Sequence, residues 1–362
     1  MGGVRIRGVE RTVGGERHLE GVDLTIAAGR VTALLGPTRA GKSSLLRLVA
    51  GLDHPTRGDV RVEGSVAMVY QEFVNYPSLT VFENLASPLR VARVPRDEID
   101  RRVRRIAARL RLDELLDRRP AALSGGQQQR VALGRALAKD ADVVLLDEPL
   151  ANLDLKLREE LRAELRRLFV DGRRTVLLAT TDPSEALSFG GDVVLLEEGR
   201  VVAHGPAREL FDRPPDRRSA ALFGDPPMQF LPLVRSGAGS RASLSLATGV
   251  PLPASALAAP SVASSIPPHG ATLGVRPHHL SLEPRSPDAI RLDAEWEDSE
   301  RLGDATRVRV RHRGLPLRLL LTGRAADADG PAGEVWLDPR RAVVFDADGR
   351  RIGPAEAAHG AD

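Results

Sequence analysis

The sequence predicts an α/β domain built on a largely parallel sheet, followed by a smaller all-β domain. Three observations carry this prediction. Continuous apolar runs at residues 31–35, 143–146 and 175–180 have the character of strands covered on both faces, and helical patterns separate them. A phosphate-loop pattern, Gly36-Pro37-Thr38-Arg39-Ala40-Gly41-Lys42-Ser43, lies between the first run and a helical stretch at 43–50 that Gly51 stops. Beyond about Pro226 the helical patterns cease, and short alternating segments rich in Pro, Ser and Ala replace them.

Taken in order, residues 4–30 read as an antiparallel opening, with Gly14-Gly15 as its turn and a second alternating run at 18–26. After the loop helix, residues 58–70 give two short strands that turn near Gly64. A loop around Asn75-Tyr76-Pro77 precedes a helix from about Val81. Residues 97–112 form an amphipathic helix with Ile99, Val103, Ile106 and Leu110 on one face. Its other face is a run of arginines. Nucleic-acid binding and a solvated helix face both fit such a run, and the lack of interleaved aromatic residues favours the solvated face. Leu123-Ser124-Gly125-Gly126-Gln127 opens a helix reaching about Ala138. A second amphipathic helix spans 155–170 through Leu157, Leu161, Leu165 and Leu168. A hairpin at 192–205 turns at Glu198-Gly199, and the domain ends near Phe223.

The second domain is expected to take strands from LVRSG, ASLSLA, TLGVRP, LRLLLTG and EVWLDP, in a small barrel-like arrangement. Residues 250–270 read as a long loop, and the chain from about Pro354 as a frayed end. Bulk properties exclude little else. At 362 residues the chain is long enough for two or three cores. No cysteine is present, which excludes disulfides and thiolate metal sites. No apolar run approaches the ~20 residues that cross a bilayer, and the N-terminus lacks a signal-peptide pattern. The pI of about 9.7 reflects arginine usage, because the net charge is only +3.

The chemistry starts at the loop. A strand, a glycine-rich turn and a helix start place backbone N–H groups around an anion. Lys42 is then expected to reach the β/γ phosphates and Ser43 to hold Mg²⁺. Asp147 and Glu148 close the strand at 143–146. In a nucleotide site Asp147 holds Mg²⁺, and Glu148 takes the proton of the attacking water. Gln71 follows the strand at 66–70, where its amide is placed to meet Mg²⁺ or that water.

These residues resemble the ATP-binding subunits of ABC transporters. The string LSGGQQQR at 123–130 carries the resemblance, ahead of Leu145-Leu146-Asp147-Glu148-Pro149 and the Asn152-Leu153-Asp154 turn. The resemblance implies an ATPase using ATP and Mg²⁺, with a mixed sheet and a helical subdomain at about 74–138. It also implies a working dimer with two composite sites. In it Ser124, Gly125, Gly126 and Gln127 close over a γ-phosphate held by the loop of a second ATPase subunit. Ser44 and Asp154 join the nucleotide site by the same resemblance.

Further markers resemble the importer subgroup that takes up sugars, glycerol and related polyols: YPSLTVFENLASPLR at 76–90, the segment 210–232, and LGVRPHHL at 273–280. Within that subgroup the runs GPTRAGKSS and ATTDPSEAL look most like glycerol importer ATPases. The resemblance implies residues 1–225 as the ATPase domain. Residues 226–362 follow as an all-β, oligosaccharide-binding-like domain for dimerisation and regulation. It implies a peripheral place on the cytoplasmic face of the cell membrane, docked on permease subunits. An extracytoplasmic solute-binding protein acts indirectly, and no nucleic acid is involved.

Three positions depart from the pattern. Thr181 stands where the family has the histidine that contacts the γ-phosphate, so slower hydrolysis is expected at the site containing it. Arg39 occupies a loop position that is usually glycine. Val13 replaces an adenine-stacking aromatic, with His18 as a candidate substitute. The alternative these departures favour is a regulatory subunit that binds ATP and hydrolyses it weakly, in an asymmetric heterodimer. A soluble ATPase acting on ribosomes or DNA is a third reading, opposed by the single phosphate loop and single signature.

Overall fold

The three apolar runs become the centre of one six-stranded sheet. Its order is β5 (Val66–Val69), β6 (Val143–Asp147), β7 (Thr175–Thr180), β3 (Val31–Leu35), β8 (Asp192–Glu197) and β9 (Arg200–Pro206). The first five are parallel and β9 returns antiparallel on β8. Every residue of β6 and β7 is buried, as a strand covered on both faces requires. A separate three-stranded antiparallel sheet contains β1 (Val4–Val13), β2 (Glu16–Ile26) and β4 (Arg57–Val62), in the order β2-β1-β4. The two strands read at 58–70 thus belong to different sheets.

The computed structural model describes residues 2–72, 74–151, 153–169, 172–237, 243–253, 265–323 and 333–353. It divides into two units, Met1–Arg208 and Glu209–Asp362, a division that falls ahead of the compositional change near 226. In the first unit, helix α1 (Lys42–Val49) follows β3. Helices α2 (Val81–Val91), α3 (Arg96–Arg109) and α4 (Gly125–Ala138) pack together through Leu85, Val103, Leu110 and Val131. Thr80 and Glu83 form a capping box that fixes where α2 starts. Helices α5 (Leu155–Phe169) and α6 (Pro183–Phe189) flank β7 in the chain. On α5 the buried stripe is Leu161, Leu165 and Phe169, with Leu157 and Leu168 partly covered.

The second unit begins within α7 (Ala207–Asp212), continues through α8 (Arg217–Leu222), and is otherwise built on two antiparallel sheets. One contains β10 (Gln229–Ser236), β11 (Ser243–Leu246), β12 (Pro251–Leu252), β13 (Thr272–Val275), β19 (Val343–Phe345) and β20 (Arg351–Ile352). The other contains β14 (Leu280–Ser281), β15 (Ile290–Arg301), β16 (Ala305–His312), β17 (Leu315–Thr322) and β18 (Gly333–Leu337). Their inward residues form one apolar cluster.

Two expectations need correction here. The stretch 250–270 is not loop throughout, because Pro251–Leu252 pairs with β11 and buries Leu252. Residues 254–264 of that stretch lie outside the described residues, as does the chain from Pro354 that was expected to fray. The hairpin of β15 and β16 was absent from the expected strands. The outer half of β15 is exposed and shows no alternation, whereas β16 alternates and buries Thr306, Val308, Val310 and His312. Charge pairs cross the exposed face of the hairpin: Glu297 with Arg311, Asp298 with Arg309 and Glu300 with Arg307.

Arg276 anchors the first residues of the second unit. It is 3% exposed, its guanidinium lies 3.6 Å over the Phe211 ring, and it donates to the carbonyls of Phe223 (2.8 Å) and Phe211. Burial pushes its pKa down to about 10. Lysine at this position keeps a charge but cannot reproduce the planar fork. Arg276→Lys is therefore expected to destabilise the second unit by about 2–4 kcal/mol. Chemical unfolding of the full chain, followed through Trp296 and Trp336 fluorescence, measures the shift in midpoint.

Candidate functional site

Parallel strands in register end together, and the site forms at their shared edge. Val69 of β5 pairs with Leu146, Asp147 of β6 with Ala179, and Thr180 of β7 with Leu35. The carboxyl ends of β5, β6, β7 and β3 therefore bring together four segments distant in the chain. These are the segments of Gln71, of Asp147 and Glu148, of Thr180 and Thr181, and of the loop from Gly36. Ligands of open parallel sheets bind at this edge.

The loop geometry follows from its residues. Gly41 has φ 99°, and a Cβ there would lie 2.5 Å from the His18 carbonyl oxygen, so glycine is required on both counts. Ala40 N–H donates to Pro37 O at 3.1 Å, and Ala40 O accepts from Gly199 N at 3.1 Å, which closes the loop against the β8–β9 turn. Arg39 takes the left-handed conformation, φ 68°, which a glycine would adopt without penalty. For arginine that costs roughly 1–2 kcal/mol. The residue fits, and the loop bears the strain.

Lys42 starts α1 and is 3% exposed. Its Nζ donates to Gly36 O at 2.9 Å and Pro37 O at 3.0 Å, and lies 3.4 Å from Glu148 Oε1. Desolvation lowers its pKa, while Glu148 and Asp147 pull the other way. Ser43 Oγ donates to Asp147 Oδ1 at 2.9 Å. Burial raises the Asp147 pKa, with the Ser43 hydroxyl opposing. Glu148 sits at φ 44°, its N–H bonded to Ala179 O at 3.0 Å, and its Oε2 accepts from Gln71 Nε2 at 3.4 Å. The sheet thus gathers Gln71, Lys42, Ser43, Asp147 and Glu148 into one constellation. A serine hydroxyl and a carboxylate at this separation, with an amide alongside, form an oxygen donor set that suits Mg²⁺.

Among the remaining expected residues, His18, Ser124 and Asp154 have partners of their own. Val13 is 43% exposed at the β1–β2 turn, whereas the His18 ring bonds through Nδ1 to Ser44 Oγ at 3.0 Å, in the first turn of α1. Thr181 is exposed just past β7. Ser124 caps α4 in a capping box with Gln127, and Gly126 has no room for a Cβ, which would meet Leu157 Cδ2 at 2.1 Å. Asp154 Oδ1 accepts from Leu157 N at 2.9 Å and so caps α5. Asn152 lies outside the described residues. Among the described residues, no hydrogen bond joins Ser124–Gln127 to the phosphate loop.

Two supporting residues were missed. Asn75 Nδ2 donates to Gln128 O at 2.8 Å, which ties the segment after Gln71 to the signature helix. Glu185, buried on α6, accepts from Thr180 Oγ1 at 2.5 Å, and the same oxygen accepts from Asp182 N at 3.0 Å. Asp182-Pro183-Ser184-Glu185 reads as a capping box, so the sequence points Glu185 at its own helix and not at Thr180.

Comparison with known proteins agrees with this geometry. The ABC transporter family model matches residues 19–151, and the TOBE domain model matches 273–345. The lactose transport ATP-binding protein LacK of Rhizobium radiobacter is 36% identical, over 97% of this chain and 100% of its own length. The sn-glycerol-3-phosphate import ATP-binding protein UgpC of Chromohalobacter salexigens is 39% identical, over 97% and 96%. The maltose/maltodextrin import ATP-binding protein MalK of Yersinia pestis is 35% identical, over 96% and 97%. Among solved structures, a dimeric post-hydrolysis state of the ATP-binding cassette MJ0796, bound to ADP and Pi, superposes with a TM-score of 0.52. It is 30% identical and covers 57% of this chain and 99% of its own. The chain belongs to the ATP-binding subunits of ABC transporters.

Proposed function

We propose that this protein hydrolyses ATP to power solute uptake through an ABC importer, as a dimer of ATPase subunits on a membrane permease. The observation that carries the reading is the clustering of Lys42, Ser43, Asp147, Glu148 and Gln71 at the sheet edge. Lys42 and the N–H groups of the loop hold the β/γ phosphates. Ser43 and Asp147 hold Mg²⁺, joined by Gln71, and the ion neutralises phosphate charge when bound. Glu148 takes the proton of the attacking water, with Gln71 fixing its carboxylate. Ser124 to Gln127, at the start of α4, close over the γ-phosphate of a partner subunit. Ser44 and Asp154 complete the nucleotide contacts. Residues 1–225 carry this ATPase function and residues 226–362 the dimerisation and regulatory one.

The solute on this reading is a sugar, glycerol or related polyol, and an extracytoplasmic binding protein delivers it. Relatives named for lactose, sn-glycerol-3-phosphate and maltose/maltodextrin support that solute class. The subunit works at the cytoplasmic face, although none of its described helices is long and apolar enough to cross a membrane. A groove of about 600 Å³ supplies the permease contact. Leu52, Val74, Pro88, Val91, Ala132 and Ala136 line it, between the β5 edge and helices α2 and α4. An amphipathic helix of the permease fits such an apolar trough.

Glu148→Gln is expected to keep ATP affinity within about threefold while turnover falls at least a hundredfold. Nucleotide binding and phosphate release, measured on the reconstituted transporter, read the two effects, and turnover near the original rate would remove Glu148 as the base. Thr181 favours a second reading, a slow site in an asymmetric pair. On that reading Thr181→His raises single-turnover hydrolysis by roughly tenfold or more, since one positioned donor at developing charge is worth that much. An unchanged rate argues that Thr181 suffices. In the groove, Leu52→Asp with Val74→Asp is expected to abolish co-purification with the permease and leave nucleotide binding intact. Both side chains are about half exposed, so the fold tolerates the change.

A further inference from the structure

Two stretches of this chain carry an excess of positive charge, and on strand β16 Arg307, Arg309 and Arg311 face the carboxylates of β15. Residues 90–119 contain eleven arginines and six carboxylates, an excess of five, while the whole chain carries only +3. The remainder is therefore slightly acidic. The excess surrounds α3. Ile99, Val103 and Ala107 bury one side of that helix, and Arg101, Arg105 and Arg109 recur every fourth position on the opposite side.

Local pairing accounts for only part of this charge. Arg101 and Arg102 share Glu98, and Arg104 meets Asp100. Among the described residues, Arg105 and Arg109 form no salt bridge, nor do Arg90, Arg93 and Arg96 near the start of α3 or Arg118 and Arg119 beyond its end. Each of these side chains is exposed. Beside them Val91 is 84% exposed, at the end of α2 between Arg90 and Arg93. Arginine heads flanking an apolar side chain suit an interface where phosphate lies above hydrocarbon.

We propose that the outer side of α3, with the arginines at its two ends, is a contact surface for an anionic phospholipid bilayer. The surface is continuous with the groove assigned to the permease, because Val91 and Ala92 line that groove and Arg90 and Arg93 flank them. A subunit docked there stands beside the membrane, so the proposal rests on the transporter reading for its biological setting. Its test does not. Anionic headgroups attract each nearby arginine by an amount that falls off within a Debye length, so the interaction is additive and salt-sensitive. Single-stranded nucleic acid fits less well, since no aromatic residue occurs in 90–119 to stack a base.

The full chain, without permease, is mixed with vesicles of pure phosphatidylcholine or of phosphatidylcholine with phosphatidylglycerol, at low and high salt, and floated. Binding to the anionic vesicles is expected to exceed binding to the neutral ones at least tenfold, and to fall with salt. The pair Arg105→Glu and Arg109→Glu should lose roughly thirtyfold, at about 1 kcal/mol for each arginine. The control pair Arg5→Glu and Arg7→Glu, of equal charge change on β1, should lose less than threefold. Bound fluorescent ATP confirms that both variants are folded. Equal binding to neutral vesicles, equal losses in the two pairs, or tighter binding to duplex DNA than to anionic vesicles at the same salt would overturn the proposal. Because no permease is present, failure here leaves the groove reading standing, and failure of the groove reading leaves this result standing.

Discussion

A buried ammonium organises the site. Lys42 is 3% exposed, and an uncompensated charge at that depth costs several kcal/mol. Its compensation dictates the shape around it. Two carbonyls, Gly36 O and Pro37 O, must turn inward, which the loop achieves only with left-handed backbone at positions 39 and 41. The Glu148 carboxylate must approach, which it does from a left-handed position of its own. The strain at Arg39 and Glu148 is thus stored where the charges converge, as functional sites commonly do. On the proposed reading, a γ-phosphate in the loop would replace these partners of Lys42 and leave Glu148 to a water.

Much of this was legible in the sequence, and the reason is local. The loop, its helix, the signature turn and the strand ending in Asp147-Glu148 each have their determinants within a dozen residues. The convergence of the segments was legible only through resemblance. It depends on strand order, β5-β6-β7-β3, and no periodicity encodes order. Side chains that act across the fold stayed hidden for the same reason. Arg276 reads as one arginine after a strand, and its partners, Phe211 and Phe223, lie more than fifty residues earlier. Glu185 was masked by a competing local pattern. The β15–β16 hairpin was masked on β15, whose outer half is charged and exposed, although β16 alternates and buries Val308 and Val310.

The departures from the family pattern sort themselves once the geometry is known. Arg39 adopts the glycine-like backbone and costs energy but not shape. His18, beyond the turn that follows Val13, bonds through Nδ1 to Ser44 Oγ in the first turn of α1. Thr181 lies exposed just past β7. Its neighbour Thr180 is fixed from three sides, by Glu185, by Asp182 N–H and through its carbonyl to Gly36 N at 3.4 Å. The backbone that carries Thr181 is therefore well held even though its side chain is short. On the proposed reading, this backbone sets the place of the Thr181 hydroxyl, and the chemistry depends on what that hydroxyl can supply.

The signature adds the last constraint. Ser124 and Gln127 spend their mutual hydrogen bonds on starting α4, and Gly126 is pressed against Leu157 of α5. Those contacts fix the turn rigidly while leaving Ser124 and Gly125 exposed. On the proposed reading, this held turn at a helix start is the anion site of the signature. Within one chain it has no hydrogen bond to the phosphate loop. The loop is equally preformed and equally exposed at Pro37, Thr38 and Arg39. Two rigid half-sites that do not meet within the chain are what a two-fold pair of subunits would join, each copy giving one half and receiving the other. On the proposed dimer reading, strain at Arg39 would fall at the surface where a second subunit closes, and the partner would have to accommodate the position that departs from glycine.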